Sequence, residues 1–520
     1  MKSQILTERQ QDELNKAIVQ YLSNTLNGES IIIENISNLL QVQNIDGVVP
    51  NYLEKKWSTV IRLQKKIMDL ETEVGNLRTI VDSHQNNSND NSNSNGIFKR
   101  NRINWLPISN STTFNTQSNQ LILCTKFHPT LPIVFAGSSD GSLIVWNIVN
   151  DENTIPEKII KAHARGINKL AWSNNPIDLS SSSTSSLESK FYILASCSAD
   201  LTIKIWNGST YRHIRTLTGH EHTVSSVIFS PTNSTILYSV SRDKTVKVWN
   251  LLDGYCLRSF VGHSDWVRDI DIANINSTIM LSNIQQSNKL GDFILTCSND
   301  QSIRLSHADT GTALAFIVAH THVVETVKFL PLTSNFILDK YLNNYISEFP
   351  NIPSDLINNI SYTDILGFKY CISGGRDNLV KLFLLPPPTL TYDKPPSPTK
   401  YNNGMGFEIA SMIGHTAWVK ALAIHPNGKY IFSASEDKTI RIWDLNTLNT
   451  EKNIKCIRIL TGHEGFINSI DFAKYSLETI DTSKIANEQE LYDTLLKQIE
   501  SKMKCLFISG GTDNSVRLWN

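Results

Sequence analysis

The sequence predicts an all-β fold, a seven-bladed β-propeller of four-stranded sheets, preceded by a short α-helical stem. Three observations lead to this prediction. A strand-like pattern recurs seven times after about residue 120, and self-similarity of this kind is typical of repeat folds. A small residue followed by His stands before six of the seven repeats. The first ninety or so residues carry helical and heptad periodicities instead.

The stem begins with an amphipathic helix predicted over residues 7–26, and a second apolar helix is expected near 29–42. Four apolar residues of the first helix share one face, at i, i+4, i+7 and i+8: Leu14, Ile18, Tyr21 and Leu22. Helices this short bury too little apolar surface to be stable alone. We therefore expect residues 1–45 to form a dimerisation motif. The alternative is a helical cap that packs on the next domain.

A heptad pattern follows and predicts a short parallel coiled coil over residues 50–82. Mostly β-branched residues at a and Leu at d favour two parallel strands. The predicted core consists of Val60, Leu63, Ile67, Leu70, Val74 and Leu77. The run is short, and Gly75 weakens it by up to about 1 kcal/mol, so the coil depends on the helices before it. Residues 83–102 include a stretch of Asn and Ser without apolar residues and are predicted to be a flexible linker.

The remaining residues, 103–520, carry the repeats. Each repeat has an Asp followed six positions later by a residue that ends a strand-like run: Asp140 and Trp146, Asp200 and Trp206, Asp243 and Trp249, Asp300 and Ser306, Asp377 and Phe383, Asp437 and Trp443, Asp513 and Trp519. The His of the second marker precedes all repeats but the first: His163, His220, His263, His320, His415 and His463. Together these marks are the signature of WD repeats, with four strands to a blade.

The recurring His and Asp also invite a catalytic interpretation, which we reject. Six near-identical sets of His, Asp, Ser or Thr, and an aromatic residue cannot all be active sites. They are expected to link strands within a blade, where each buried polar group finds a partner. The sequence shows no phosphate-binding loop, nucleophile elbow or metal-ligand cluster, so we expect neither an enzyme nor a cofactor.

The ends of the repeat region predict how the ring closes. The chain stops one residue after Trp519, so the last repeat lacks an outermost strand. Residues near 103–116 can supply that strand from the other end of the chain. Pairing the two ends would remove an unpaired sheet edge.

Four repeats carry extra length between the first strand after the His and the next strand, at 176–190, 277–291, 332–367 and 475–503. In a propeller these loops share one face. A Pro-rich segment, 386–406, is also expected to be a loop. We interpret these segments mainly as tolerated decoration, with a short helix at 481–503. Their individual roles stay open.

The opposite face keeps short turns, and the repeats can be compared with each other there. Equivalent positions vary from Ser to Arg and from Gly to Trp, so the fold does not dictate them. Arg and Trp are enriched at interface hot spots. The residues predicted to gather on this face are Arg242, Trp266, Arg268, Arg376, Trp418, Lys420 and Lys438. The alternative is that the lysines are ordinary turn residues and that the tryptophans only pack between blades.

The overall composition indicates which classes of partner and which cellular compartment to expect. The 48 Lys and Arg nearly balance the 49 Asp and Glu, which predicts no large surface for nucleic acid. The N-terminus lacks the apolar stretch of a signal peptide, and no run approaches the roughly 18 apolar residues of a membrane span. We expect no membrane insertion. Seven scattered cysteines without a CxxC pair indicate a reducing, cytosolic compartment, with neither disulfides nor a zinc site.

Several segments resemble one family. RQQDELNKAIVQYL is similar to a LisH dimerisation motif, and LEKKWSTVIRLQKKIMDLE resembles the coiled coil that follows it in the lissencephaly/nuclear distribution proteins. LASCSADLTIKIW, SVSRDKTVKVWN and TCSNDQSIRL look like that family's second to fourth blades, and GHTAWVKALAIHPNGKYIFSASEDKTIRIWD resembles its sixth. The resemblance covers nearly the whole chain. The Asn- and Ser-rich insertions indicate a yeast-like member.

The resemblance implies a homodimeric regulator of cytoplasmic dynein. Such a protein binds the motor domain of the dynein heavy chain, promotes motor activation, and targets the motor to microtubule ends for nuclear migration and spindle positioning. It implies a NudE-type coiled-coil partner, contact with microtubules through dynein alone, and a cytoplasmic, cytoskeletal location at microtubule plus ends and spindle poles. A different LisH and WD-repeat adaptor, such as a ubiquitin-ligase substrate receptor or a corepressor, is the alternative. Some relatives associate with a phospholipid-hydrolysing enzyme, and whether this chain has such a partner stays open.

The resemblance also implies site residues. The family's set for binding the motor ring falls on residues of the expected type: Arg242, Arg268, Arg376, Trp418 and Lys438. A second contact, at the base of the motor's stalk, falls on Glu221 and His222. The departures from the family pattern are Ser306, Phe383 and the long insertions, and they leave the five-residue set intact.

Overall fold

The computed structural model describes two compact units, Met1–Asn104 and Trp105–Asn520. The described residues are 8–25, 30–40, 106–116, 120–148, 155–177, 190–273, 291–357, 359, 366–391, 394–398, 406–474 and 505–520. The coiled coil predicted at 50–82, with its core of Val60, Leu63, Ile67, Leu70, Val74 and Leu77, and the linker predicted at 83–102 lie outside them. So do the insertions at 176–190, 277–291 and 475–503, except for residues 176–177, 190 and 291.

The first unit contains two helices, α1 (Glu8–Thr25) and α2 (Ser30–Leu39), at the places that the apolar periodicity predicts. Within α1, Ala17 and Val19 are buried, whereas Tyr21 is 42 % exposed. The helical prediction for this segment is confirmed. No helix among the described residues is long and apolar enough to cross a membrane.

The second unit is a seven-bladed β-propeller, and each blade is a four-stranded antiparallel sheet. Blade 1 comprises β2 (Ile122–Phe127), β3 (Ile133–Ser138), β4 (Ser142–Asn147) and β5 (Lys158–Lys161). Blade 2 comprises β6 (Ile167–Trp172), β7 (Ile193–Ser198), β8 (Ile203–Asn207) and β9 (His213–Leu217). Blade 3 comprises β10 (Val224–Phe229), β11 (Ile236–Ser241), β12 (Thr245–Asn250) and β13 (Cys256–Val261). Blades 4 and 5 comprise β14 (Val267–Ile272), β15 (Phe293–Ser298), β16 (Ser302–His307) and β17 (Ala313–Val318); β18 (Val324–Phe329), β19 (Tyr370–Gly375), β20 (Val380–Leu384) and β23 (Phe407–Met412).

Blades 6 and 7 comprise β24 (Val419–Ile424), β25 (Tyr430–Ser435), β26 (Ile440–Asp444) and β27 (Lys455–Leu460); β28 (Ile467–Phe472), β29 (Phe507–Gly511), β30 (Ser515–Trp519) and β1 (Asn110–Asn115). A separate hairpin, β21 (Thr389–Thr391) with β22 (Lys394–Ser397), lies in the Pro-rich segment of blade 5. The first strand of each blade contacts the first strand of the next, and β28 contacts β2. The ring is therefore closed.

The last blade combines both ends of the propeller, as the sequence predicts. Strand β1 pairs antiparallel with β30, from Asn110 opposite Trp519 to Asn115 opposite Ser515. The Ser111 hydroxyl donates a hydrogen bond to the Leu518 carbonyl at 3.1 Å. This pairing covers the edge that β30 would otherwise expose.

A buried hydrogen-bond network stabilises the blades, and blade 3 shows it in full. His220 Nδ1 lies 2.7 Å from the Asp243 carboxylate, and its Nε2 lies 2.7 Å from Ser239 Oγ. Trp249 Nε1 donates to the same Ser239 hydroxyl at 2.8 Å. Burial would raise the pKa of Asp243, but hydrogen bonds from His220 and Thr245 outweigh it and hold the pKa well below its usual value. The prediction that these sets link strands within a blade is confirmed.

The network varies among the blades. Blades 2, 6 and 7 repeat it through His163, His415 and His463. Blades 4 and 5 keep the His and the Asp but have Ser306 and Phe383 in place of Trp. Blade 1 has no such His, and Ala136 stands at the position of the network's Ser. Among the described residues, Trp146 Nε1 of blade 1 is consequently buried without a hydrogen-bond partner.

The insertion between β18 and β19 is a packed helical element. It contains a 3₁₀ turn (Leu332–Ser334), α3 (Asn335–Asn344), a second 3₁₀ turn (Ile346–Glu348) and α4 (Ser354–Ile357). Four apolar side chains of α3 are buried in the hydrophobic core that blades 5 and 6 share: Ile337, Leu338, Tyr341 and Leu342. Our interpretation of 332–367 as decoration is therefore wrong for these helices.

The same insertion is hydrogen-bonded to the neighbouring blade. Ser334 Oγ donates to the Gly428 carbonyl of blade 6 at 2.9 Å, and Thr333 Oγ1 donates to that of Pro426 at 3.1 Å. Blade 6 also contains a short helix, α5 (Thr447–Glu451). Its Asn449 Nδ2 donates a hydrogen bond to the Ile337 carbonyl of the insertion at 3.3 Å. The insertion thus joins two blades on the face that carries the long loops.

Candidate functional site

The residues that the repeat comparison singled out lie in short loops at one end of the strands. They come from the turns between the second and third strands of blades 3, 5 and 6, and from the segments that open the first strands of blades 4 and 6. The structure therefore places all of them on one face, which we call the short-loop face: Arg242, Trp266, Arg268, Arg376, Trp418, Lys420 and Lys438.

Two arginines share one tryptophan on this face. The guanidinium carbon of Arg268 lies 3.6 Å from the centroid of the Trp266 ring, and that of Arg242 lies 5.0 Å from it. Trp266 Nε1 donates to Ser225 Oγ at 2.5 Å, which fixes the indole from its edge. Arg268 Nε donates to Asn299 Oδ1 at 2.6 Å. The first stack therefore holds two cations in set positions, with each cation–π contact worth about 0.5–2 kcal/mol.

A second stack lies two blades further on. The guanidinium carbon of Arg376 is 4.1 Å from the centroid of the Trp418 ring. Trp418 is 36 % exposed, so a large aromatic surface stays open to a partner. Arg376 Nε donates to Glu325 Oε1 at 2.5 Å, which fixes the other side of the guanidinium group.

Glu325 lies buried between the two stacks. Its Oε2 is 3.3 Å from Lys420 Nζ and 4.0 Å from Arg268 Nη1, while its Oε1 accepts the bond from Arg376. Burial would raise the pKa of Glu325, but the three cations outweigh it and hold the pKa below its usual value. The carboxylate is therefore charged at neutral pH.

Lys438 is exposed in the turn between β25 and β26, with a φ of 68°. The equivalent turn residue has a φ of 61–72° in the other blades where it is not Gly, and its identity varies: Leu201, Lys244, Gln301, Asn378 and Asn514. Lysine is therefore not a requirement of this left-handed turn. The side chain of Lys438 is available for another role.

Glu221 and His222 lie exposed in the loop that leads into β10, on the same face. The Glu221 amide donates to the Asp243 carboxylate at 3.0 Å, and His222 Nδ1 accepts a bond from the Thr223 amide at 2.8 Å. The loop is thereby tied to the buried network of blade 3. The predicted pair stands beside Arg242, which lies in the next turn of the same blade.

The central channel meets the short-loop face, because Trp266, Arg268, Glu325 and Lys420 also line it. It encloses about 690 Å³ and is lined by the innermost strands. Three of its lysines pair with aspartates of another blade: Lys126 with Asp471, Lys169 with Asp269 and Lys328 with Asp271. Within the described residues, no group of His, Cys, Asp and Glu is arranged to hold a metal ion. The face offers stacked cations and an open indole, which suit the recognition of a protein surface.

Comparison with known proteins identifies the family. The sequence profile described as "WD domain, G-beta repeat" matches residues 109–147, 155–207, 211–250, 254–305 and 406–444. The nuclear distribution protein PAC1 of Scheffersomyces stipitis is 57 % identical over 528 residues, which cover 100 % of both chains. The chain belongs to the nuclear distribution protein PAC1 family. The PAC1 proteins of Debaryomyces hansenii and Candida albicans are 54 % and 49 % identical, again over 100 % of both chains.

Membership in the PAC1 family confirms the resemblance drawn from the residues, and the yeast relatives agree with a yeast-like member. The structure also shows a site residue that the comparison of repeats does not single out. This residue is Glu325, whose carboxylate contacts Arg268, Arg376 and Lys420. The signal that could have found it is the alternation of Arg268, Glu325 and Lys420 at equivalent positions of three successive blades.

Proposed function

We propose that this chain is a non-catalytic, dimeric regulator of cytoplasmic dynein. It binds the motor domain of the dynein heavy chain through the short-loop face, promotes motor activation and targets the motor to microtubule ends for nuclear migration and spindle positioning. The name of these relatives, nuclear distribution protein, supports this role. The observation that carries the proposal is the pair of arginine–tryptophan stacks on one face.

The stacks favour binding because they reduce the side-chain entropy that is lost when a partner binds. Arg and Trp dominate interface hot spots at roughly 2 kcal/mol or more each. A free arginine loses side-chain entropy when it binds, but Arg268 and Arg376 are already fixed by an indole on one side and a hydrogen bond on the other. Arg242 and Lys438 are exposed beside them and add positive charge. The complementary partner surface is acidic.

The buried polar groups of the blades support a role without catalysis. The recurring His and Asp face each other and a Ser or Thr inside the blades, where no substrate reaches them. We assign no cofactor to the protein. The face acts by binding alone.

The rest of the proposal follows from the family resemblance. Residues 1–45 and 50–82 form the homodimer, so that two propellers reach one motor. Glu221 and His222 make a second contact, at the base of the motor's stalk. A NudE-type coiled-coil protein is a further partner, and microtubules are reached through dynein. The protein then resides in the cytoplasm on the cytoskeleton, at microtubule plus ends and spindle poles.

The test is equilibrium binding of the full chain to a purified dynein motor domain from the same organism. One variant replaces Arg242, Arg268, Arg376, Trp418 and Lys438 with Ala. A matched control replaces four exposed cations and one exposed aromatic residue of the outer strands and their turns with Ala: Lys158, Arg212, Tyr255, Arg258 and Lys455. The first variant should bind at least about 100-fold more weakly, and the control should bind like the wild type.

The possible outcomes separate the partner from the site. Loss of binding in the first variant alone, with its melting temperature preserved, supports both. Equal binding by all three proteins keeps the partner but places the site elsewhere. A wild-type chain that does not bind the motor domain sinks the proposal.

A further inference from the structure

The second residue of the innermost strand occupies an equivalent place in every blade. In blades 2 and 7 this residue is Asn, and it connects blades: Asn168 Nδ2 donates to the Val224 carbonyl at 2.7 Å, and Asn468 Nδ2 donates to that of Ile122 at 2.8 Å. Both acceptors open the innermost strand of the following blade. In blades 2 and 7 this position therefore joins neighbouring blades.

Blades 4, 5 and 6 have three charged residues at this position instead, in the order Arg268, Glu325 and Lys420. The carboxylate of Glu325 lies between cations of three blades, at 4.0 Å from Arg268, 2.5 Å from Arg376 and 3.3 Å from Lys420. Only 6 % of the Glu325 side chain is exposed. A buried carboxylate with three cationic neighbours is fixed in place, and so are the cations.

Glu325 also connects the two stacks. Arg268 lies on Trp266 and Arg376 lies on Trp418, and both guanidinium groups turn their other side toward the same carboxylate. A continuous series of side chains therefore runs from blade 3 to blade 6. Its centre is the one anionic side chain of the series.

We infer that Glu325 is a positioning residue of the short-loop face, which sets the distance between the two arginine–tryptophan stacks without touching the partner. The inference rests on the proposed role of that face in binding the dynein motor domain. Without the carboxylate, Arg268, Arg376 and Lys420 repel each other, and the two arginines leave their stacked positions.

Neutralising Glu325 distinguishes a positioning role from simple charge balance, because the two roles predict opposite changes in binding affinity. If the residue only balanced charge, its neutralisation would make the face more positive, and attraction to an acidic partner would increase the association rate. If the residue positions the arginines, its neutralisation weakens binding and acts on dissociation. The two roles therefore predict opposite changes in affinity for one substitution.

Glu436 provides a matched control. Its carboxylate lies 3.8 Å from Lys420 Nζ on the same face, but its side chain is 20 % exposed and the stacked arginines contact Glu325 instead. Glu436→Gln makes the same change in net charge as Glu325→Gln. Glu325→Asp is the complementary variant, since it keeps the charge but draws the carboxylate back by one methylene group.

The experiment measures association and dissociation rates of the full-length wild type and the three variants on an immobilised dynein motor domain, with a melting curve for each. We expect Glu325→Gln and Glu325→Asp to dissociate about 10- to 100-fold faster, with association rates unchanged or higher. Glu436→Gln should bind at least as tightly as the wild type.

Each result has one meaning. Wild-type or tighter binding by folded Glu325→Gln overturns the positioning role while the proposed function stands. Equal weakening by Glu436→Gln also overturns it, because loss of any nearby charge would then suffice. If the wild type itself does not bind, the proposed function fails first. Should Glu325→Gln not fold, faster dissociation of Glu325→Asp supports the inference, and unchanged dissociation overturns it.

Discussion

Replacing Ser433 of blade 6 with Ala should destabilise the propeller more than replacing Ser373 of blade 5. Ser433 Oγ receives a hydrogen bond from Trp443 Nε1 at 2.8 Å and lies 2.6 Å from His415 Nε2. Ser373 Oγ lies 2.7 Å from His320 Nε2, but blade 5 has Phe383 where blade 6 has its Trp. The two hydroxyls therefore satisfy different numbers of buried groups.

The magnitude follows from that difference. Ser433→Ala leaves two buried nitrogen atoms without a partner, and Ser373→Ala leaves one. Each unsatisfied buried group costs about 1–3 kcal/mol, so the free energy of unfolding should fall by about 2–6 kcal/mol in the first variant and about 1–3 kcal/mol in the second. The serines themselves are equally buried, at 0 % exposure, so burial does not explain the difference.

Urea unfolding, followed by far-ultraviolet circular dichroism and by tryptophan fluorescence, measures both variants. Ser239→Ala of blade 3 is the matched control, because Ser239 also contacts both a His and a Trp. It should behave like Ser433→Ala. A loss in Ser373→Ala as large as in these two variants would refute the account of the network.

Three further predictions concern other parts of the propeller. Ala136→Ser should raise the unfolding free energy by about 1 kcal/mol, because the new hydroxyl can accept from the buried Trp146 Nε1. Leu338→Ala should lower it by about 2–5 kcal/mol, since Leu338 is 0 % exposed, whereas Phe336→Ala, at a side chain that is 38 % exposed, should lower it less. The melting temperature should fall as the pH drops below about 4, and less steeply in Asp437→Asn.

Asp437 shows why the stability of the propeller should fall at low pH. Burial would raise its pKa, but hydrogen bonds from His415 and Thr439 outweigh it and hold the folded-state pKa well below the usual value. The stability this provides is present above the unfolded-state pKa, near 4, and is lost as the pH falls toward the folded-state value. Melting curves between pH 3 and 7 measure it. A wild type and an Asp437→Asn variant with parallel pH profiles would contradict the assignment.

Controls for the other two predictions are available in the chain. Ala195→Ser introduces a hydroxyl beside Ser196 in the buried strand β7, where the Trp206 indole already donates to Ser196, and should destabilise the protein. If Ala136→Ser and Ala195→Ser both stabilise the protein, the hydrogen bond to Trp146 is not the cause of the stabilisation. If Leu338→Ala and Phe336→Ala have equal effects, the helices of the insertion do not depend on the core shared by blades 5 and 6.

Repetition made most of the fold predictable. A pattern that recurs seven times fixes the number of blades, and the segment near residues 103–116 indicates the strand, β1, that completes blade 7. The same repetition helped with the site, because positions that vary among blades are not demanded by the fold. Arg242, Arg376 and Trp418 were found in that way, and the structure brings Arg376 onto Trp418.

Contacts between different blades were not predictable from the repeats. The role of Glu325 depends on side chains of three blades, whose distances no single repeat contains. The helical insertion was misjudged for a related reason. Its apolar residues, among them Leu338 and Tyr341, have a helical spacing, but only packing against blade 6 shows that they complete a core.

The pairing of β1 with β30 has a consequence for how the protein is made. Ser111 and its partner Leu518 are 407 residues apart. At a synthesis rate of about 5–20 residues per second, β1 leaves the ribosome roughly 20–80 seconds before β30 exists. During that time the earlier blades can assemble, but the nascent ring has an open seam with exposed backbone donors and acceptors. Emergence of β30 from the ribosome is therefore the step that closes this seam.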